Sequence, residues 1–117
     1  MRTKPPPIPA HLGEAGRKLY RRISADFELE PHHLAILDTA CHALDTAEAC
    51  RLRLTAEGLT ITGPKGAMLV HPLLAAERAA RRQFMQALRQ LGLDEEVAQP
   101  RDEHGRFDTP SLRVVNR

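Results

Sequence analysis

The sequence predicts a mainly α fold: three amphipathic helices, a short β-hairpin between the second and third, a flexible N-terminal arm and a flexible C-terminal tail. Three observations lead there. Apolar content is 42%, mostly Leu and Ala, with aromatics confined to Tyr20, Phe27, Phe84 and Phe107; helices suit such a core, whereas a β-sandwich or barrel draws on Val, Ile and aromatic side chains. Apolar residues recur at helical spacing in three stretches. Pro31, Gly58, Pro72 and Gly92 punctuate those stretches. At 117 residues the chain fits one domain.

Residues 1–10, "MRTKPPPIPA", favour an extended polyproline arm, because proline lacks the amide hydrogen a helix needs. A first helix fits residues 14–27, with Leu19, Tyr20, Ile23 and Phe27 on one face and Arg17, Lys18, Arg21 and Arg22 on the other. The second helix starts near Pro31, whose fixed φ suits a first helical position, and runs to Glu57, where Gly58 offers a left-handed stop. Leu34, Leu37, Cys41 and Leu44 step by 3, 4 and 3, a heptad-like seam. In "GLTITGPKGAMLVHP" alternating apolar residues flank a Gly-Pro-Lys-Gly turn, a hairpin signal. A hairpin this short is marginal in water, so it is expected to rest on the helices or on a neighbouring subunit. The third helix begins at Pro72 and runs to about Leu91, with Leu73, Ala80, Phe84, Ala87, Leu88 and Leu91 sharing a face. Arg78, Arg82 and Arg89 cluster well away from it. Residues 94–117 are polar and aperiodic and read as a flexible tail, whose Leu112, Val114 and Val115 form a peptide able to order on a partner.

The net charge of +2 hides an uneven distribution. Residues 1–25 carry six Lys or Arg against Glu14, residues 26–48 carry six acids and no Lys or Arg, residues 49–93 hold seven bases and two acids, and residues 94–117 hold four bases and six acids. Blocks of alternating sign suit head-to-tail subunit contacts, and a positive block suits phosphate.

Little here points to catalysis. The phosphate-loop pattern is absent, "GPKG" being only a hairpin turn. His32, His33, Cys41 and His42 are the densest metal-ligand types, but neighbouring positions on a helix point about 100° apart and no H-x-x-x-H or C-x-x-C spacing occurs. A surface or capping role suits His32 and His33 better. Asn116 is the single asparagine, which argues against a nuclease of the His-Asn-His type. Ser24 and Ser111 have no base at a recognisable spacing. Cys41 and Cys50, nine residues apart on one helix, point to opposite sides and are expected as buried, reduced core residues. No catalytic residue, metal or cofactor is therefore expected. With no apolar run of about 18 residues and no apolar stretch behind the basic start, no membrane partner or secretory signal is expected, and a cytoplasmic location follows.

From "HLGEAGRKLY" at His11 to Leu91-Gly92-Leu93, the order of features resembles the small terminase subunits of tailed double-stranded DNA phages. The likeness consists of an opening "LGEAGRKLY", a helix reading L…D…L…A, then "GL" and a variable hairpin. His71-Pro72 leading into the last helix and a closing "LGL" complete it. It covers residues 11–93 and implies a non-catalytic subunit that forms a homo-oligomeric ring. Such a subunit binds double-stranded viral DNA and recruits the large ATPase-nuclease subunit in the cytoplasm of the bacterial host. On that reading Arg17, Lys18, Arg21 and Arg22, helped by Arg2 and Lys4, contact DNA phosphates, while Arg78, Arg82 and Arg89 form a second basic or oligomer surface. Leu34, Leu37, Cys41, Leu44, Phe84, Leu88 and Leu91 form the oligomer or core seam. Many relatives continue with a Pro-Ser/Thr-basic segment after "LGL", whereas Asp94-Glu95-Glu96 follow here, which favours a protein partner for the tail. A dimeric DNA-binding regulator and a helical adaptor without DNA binding are the alternatives.

Overall fold

A computed structural model describes residues 6–93 and the pair 113–114. Its elements run α1 (Glu14–Asp26), β1 (Phe27–Glu28), α2 (Pro31–Glu57), β2 (Thr60–Thr62), a 3₁₀ turn (Pro64–Gly66), β3 (Met68–Val70), α3 (Pro72–Gln90) and β4 (Arg113–Val114). The mainly helical fold with a hairpin between the second and third helices is the one the sequence predicts. Arg2 and Lys4 of the arm, and Leu112 and Val115 of the tail, lie outside the described residues.

α2 is the member that α1 and α3 both pack on, and α2 and α3 share the larger contact. The main core gathers Leu12, Tyr20, Ile23, Leu37, Cys41, Leu91 and Leu93, with Ile8, Leu19, Phe27, Leu29, Leu34, Ile36 and Leu88 packed round it. Along the rest of α2, Ala40, Ala43, Ala47, Cys50 and Leu54 are buried, as are Ala80 and Ala87 of α3. Small side chains at these positions let the two backbones approach closely. Of the seam expected as oligomer or core, Leu37, Cys41 and Leu91 lie in the core, Leu34 and Leu88 pack against it, and Leu44 and Phe84 are half-buried. Cys41 and Cys50 are both buried free thiols.

The helix ends follow local chemistry. Glu30 is held extended before Pro31, and Glu30 and His33 form a reciprocal capping box in which the Glu30 backbone N–H donates to His33 Nδ1 at 3.1 Å. Gly58 ends α2 at φ 86 and ψ 172, so its positive φ is the glycine-only kind expected, but the chain leaves extended rather than in the left-handed helical well. Two features go beyond the sequence reading. The hairpin pairs Thr60 with Val70, Ile61 with Leu69 and Thr62 with Met68, yet it leaves Leu59, Met68 and Val70 more than half exposed and packs only lightly on the helices of its own chain. The second is a strand pair absent from the sequence reading: β1 and β4 run antiparallel, with Phe27 opposite Val114 and Glu28 opposite Arg113. Val114, expected to order on a partner, is paired within the chain. The extended run 27–30 ahead of Pro31 supplies the free edge that makes this possible.

Candidate nucleic-acid interface

The candidate surface is the outward side of α1, and its placement starts with the other end of that helix. Gly13 is the N-cap and Gly16 the third helical residue, so neither carries a side chain able to cap the first turn. Asp45 of α2 does it instead. Its Oδ2 accepts the Gly13 N–H at 2.6 Å and its Oδ1 accepts the Gly16 N–H at 2.7 Å. The two donors are those a capping box satisfies, here served by one carboxylate from a neighbouring helix, whose charge also favours the helix N-terminus. Glycine at 16 is required by the approach itself: a Cβ there would lie 2.4 Å from Asp45 Oδ2 and 2.9 Å from the Cys41 backbone oxygen. Tyr20 and Ile23 then bury the inner side of α1, and Ser24 Oγ donates back to the Tyr20 carbonyl at 2.7 Å.

With the inner side fixed, Arg17, Lys18, Arg21 and Arg22 all emerge exposed. Lys18, Arg21 and Arg22 make no side-chain ion pair or hydrogen bond with any described residue. Arg17 differs. Its Nε donates to the Leu12 carbonyl at 2.8 Å and its guanidinium also reaches the Ala10 carbonyl at 3.2 Å, which ties the chain ahead of α1 to the helix. Among the described residues, Lys18, Arg21 and Arg22 are therefore the free cations of the stripe.

The third-helix arginines do not join this stripe. Arg78, Arg82 and Arg89 are exposed on α3, and Arg78 and Arg82 line a groove of about 500 Å³ beside Val70 and Leu74 at the hairpin. Arg81 turns the other way, 3.5 Å from Glu48 of α2 and 3.9 Å from Glu77. Glu48 is held below the ordinary carboxylate range chiefly by its hydrogen bond to Arg51, with Arg81 adding to it.

Other titratable groups are structural. His71 is buried at the N-cap of α3, where Nδ1 accepts the Leu73 N–H at 3.1 Å and Nε2 meets Glu57 Oε1 at 3.0 Å. Accepting at Nδ1 places the proton on Nε2, so the neutral ring caps α3 and donates to the last turn of α2. His71 with Arg53 lowers the Glu57 carboxyl, His71 contributing most. Burial pushes the Cys41 thiol up to about 12, with Asp45 and Asp38 adding to the rise, so it is no activated nucleophile. Burial likewise raises the Tyr20 hydroxyl. His11 Nε2 lies 2.8 Å from Asp38 Oδ1, a buried oxygen, without the alignment of a hydrogen bond. Among the described residues no group of three or more His, Cys, Asp or Glu could hold a metal ion, and no helix is long and apolar enough to cross a membrane.

Asp45 and His71 are the residues that sequence reasoning missed. For Asp45 the available signal was a helix start reading Gly-x-x-Gly with no capping side chain. For His71 it was an acceptor side chain immediately before a helix-opening proline.

The arrangement defines a small helical protein that displays cationic side chains on rigid helices. The chain matches the family described as phage terminase, small subunit, over residues 16–99, and it belongs to that family. No curated protein and no solved structure matches it. Small terminase subunits are generally non-catalytic and generally interact with DNA and a large subunit.

Proposed function

We propose that this small terminase subunit holds double-stranded viral DNA through the outward side of α1 and presents it to the large ATPase-nuclease subunit during genome packaging. Lys18, Arg21 and Arg22 are the principal phosphate contacts, Arg17 contributes while tying down the preceding chain, and Arg2 and Lys4 extend the positive surface along the arm. The tail, residues 94–117, engages the large subunit, and copies of the chain assemble into a closed ring. The subunit acts in the cytoplasm of the bacterial host and carries out no chemistry of its own. One observation supports this most: three cations on one helix side have no partner among the described residues, while the opposite side is buried and capped from α2.

Contacts to phosphate give affinity that falls steeply with salt and carries little sequence information. Replacing Lys18, Arg21 and Arg22 with Ala should abolish retention of duplex DNA in a mobility assay at moderate salt. At low salt the log–log salt slope should shrink by about 0.9 for each phosphate that is no longer neutralised. Adding Arg17→Ala should weaken binding further while loosening the segment before α1. The oligomer mass should be unaffected when Arg21 and Arg22 alone are replaced. Unchanged DNA retention would move the site off α1. Deleting residues 94–117 should remove stimulation of the large subunit, and a deletion that packages normally would rule the tail out.

A further inference from the structure

Of the large apolar side chains left exposed among the described residues, Leu52, Leu59, Met68, Leu69 and Val70 gather towards the hairpin end, and Met85 stands apart on α3. Met68 is 75% exposed, Val70 67%, Leu59 61% and Leu52 59%. A hairpin of two three-residue strands cannot bury them by itself and is marginal alone in water. Uncovered apolar groups gathered this way mark a docking surface.

They fall on two opposite sides of the α2–α3 pair, and the charge differs between the sides. Leu52 follows Asp45 by seven residues, so it lies within about 20° of it round α2 and continues the side that α1 covers further along. A groove of about 440 Å³ opens there, floored by Ala15, Ala49 and Leu52, with Glu14, Asp45 and Glu48 set against Lys18 at its rim. On α3, Arg78 and Arg82 lie roughly 160° round the helix from Ala80, on the side turned away from α2. The groove there, about 500 Å³, runs from Val70 along Leu74 and Ala75 and carries Arg78 and Arg82. One side is acidic and apolar, and the other is cationic and apolar. Two surfaces that complement each other but not themselves join copies head to tail, the arrangement that closes rings rather than two-fold dimers.

We infer that the hairpin and outer α3 side of one copy, through Met68, Val70, Arg78 and Arg82, docks on the α1–α2 groove of the next at Glu14 and Leu52. Met68 and Val70 gain the cover their own chain does not provide, and Arg78 and Arg82 meet Glu14, the acid of the neighbouring groove that is not engaged by Gly13, Gly16, Arg51 or Arg81 of its own chain. The inference rests on the reading of the chain as a self-assembling subunit and supplies that reading with its contact.

The test is mass in solution by light scattering for wild type, Leu52→Arg, Met68→Asp and an equimolar mixture of the two variants. Each substitution puts a like charge into one half of the contact at a position the single-chain fold leaves exposed. Wild type is expected as a multiple of the 13.0 kDa chain. Each variant alone should run as one chain with an unchanged helical dichroism spectrum. The mixture should rise to at least two chains, because each variant keeps the side that is spoiled in the other. Should Met68→Asp lose helical signal, Val70→Asp replaces it. Variants that keep the wild-type mass, or a mixture that stays at one chain, overturn the contact while leaving self-assembly intact. A wild type at one chain overturns the self-assembly reading itself.

Discussion

Gly16→Ala gives the most direct reading of how α1 is mounted. In an ordinary helix the change would stabilise by about 1 kcal/mol, because alanine is the better helix former. Here the new Cβ would sit 2.4 Å from Asp45 Oδ2, 2.9 Å from Asp45 Cγ and 2.9 Å from the Cys41 carbonyl oxygen. The side chain can rotate away, but the backbone oxygen cannot, so α1 must lift from α2 by several tenths of an ångström. Overpacking of this kind costs about 1–3 kcal/mol. Lifting α1 also stretches the two bonds from Gly13 and Gly16 to the Asp45 carboxylate, and hydrogen bonds to a charged group are worth about 1.5–3 kcal/mol. After subtracting the propensity gain, a net loss of about 2–4 kcal/mol is expected. Urea unfolding followed by helical dichroism measures it, at one fixed protein concentration because self-association feeds into the midpoint. In an Asp45→Ala background the same substitution should cost less by about 1–2 kcal/mol, since part of the clash is gone. Gly13→Ala, whose Cβ would be 3.1 Å from Asp45 Oδ1, should cost less than Gly16→Ala. A Gly16→Ala chain as stable as wild type or more so would refute this mounting of α1.

Three further outcomes follow from the same geometry. His71→Ala removes the N-cap of α3 and the bond to Glu57 together, and should destabilise by about 1–2 kcal/mol in the same unfolding assay. The Glu57 carboxyl is lowered in the folded chain, so its contribution is present above its ordinary value of 4.5 and is lost as pH falls through the lower folded value. Melting temperature should accordingly drop on acidification below 4.5, and Glu57→Gln should flatten part of that drop; an acid limb identical in the variant would remove Glu57 from it. Cys41 and Cys50 are both buried, and the Cys41 thiol stands near 12, so neither should react with a thiol-specific disulfide reagent at pH about 8 until the chain is unfolded. Rapid labelling of two thiols in the native protein would contradict that burial.

The helices were legible because their signals are local. Pro31 and Pro72 open α2 and α3, Gly58 closes α2, and the spacing of Leu34, Leu37 and Cys41 fixes which side of α2 faces the core. The cationic side of α1 was legible for the same reason, as it follows once Tyr20 and Ile23 are assigned inward. What escaped depends on which helix lies beside which. Asp45 caps a helix 29 residues away in the chain, and nothing in its own neighbourhood distinguishes it from Asp38. The part-commitment of Arg17 is similar, since its partners are backbone carbonyls that any sequence would offer. The pairing of β1 with β4 rests on two residues at each strand, too few for a periodic pattern to register. The hairpin is legible in its alternation and its turn, but its lack of cover within the chain is a tertiary fact.

Because α1 and α3 each lean on α2 and the α1 contact is the smaller, the chain has a built-in order of loosening. The helix that displays Lys18, Arg21 and Arg22 hangs from one carboxylate and its share of the main core, while α2 and α3 also hold each other through the larger, Ala-lined contact. Sub-global opening should therefore free α1 as a tethered, positively charged arm and leave the pair standing. Amide exchange in α1 would outpace that in α2 and α3, and occupation of its cations by a polyanion would slow it by holding the helix down.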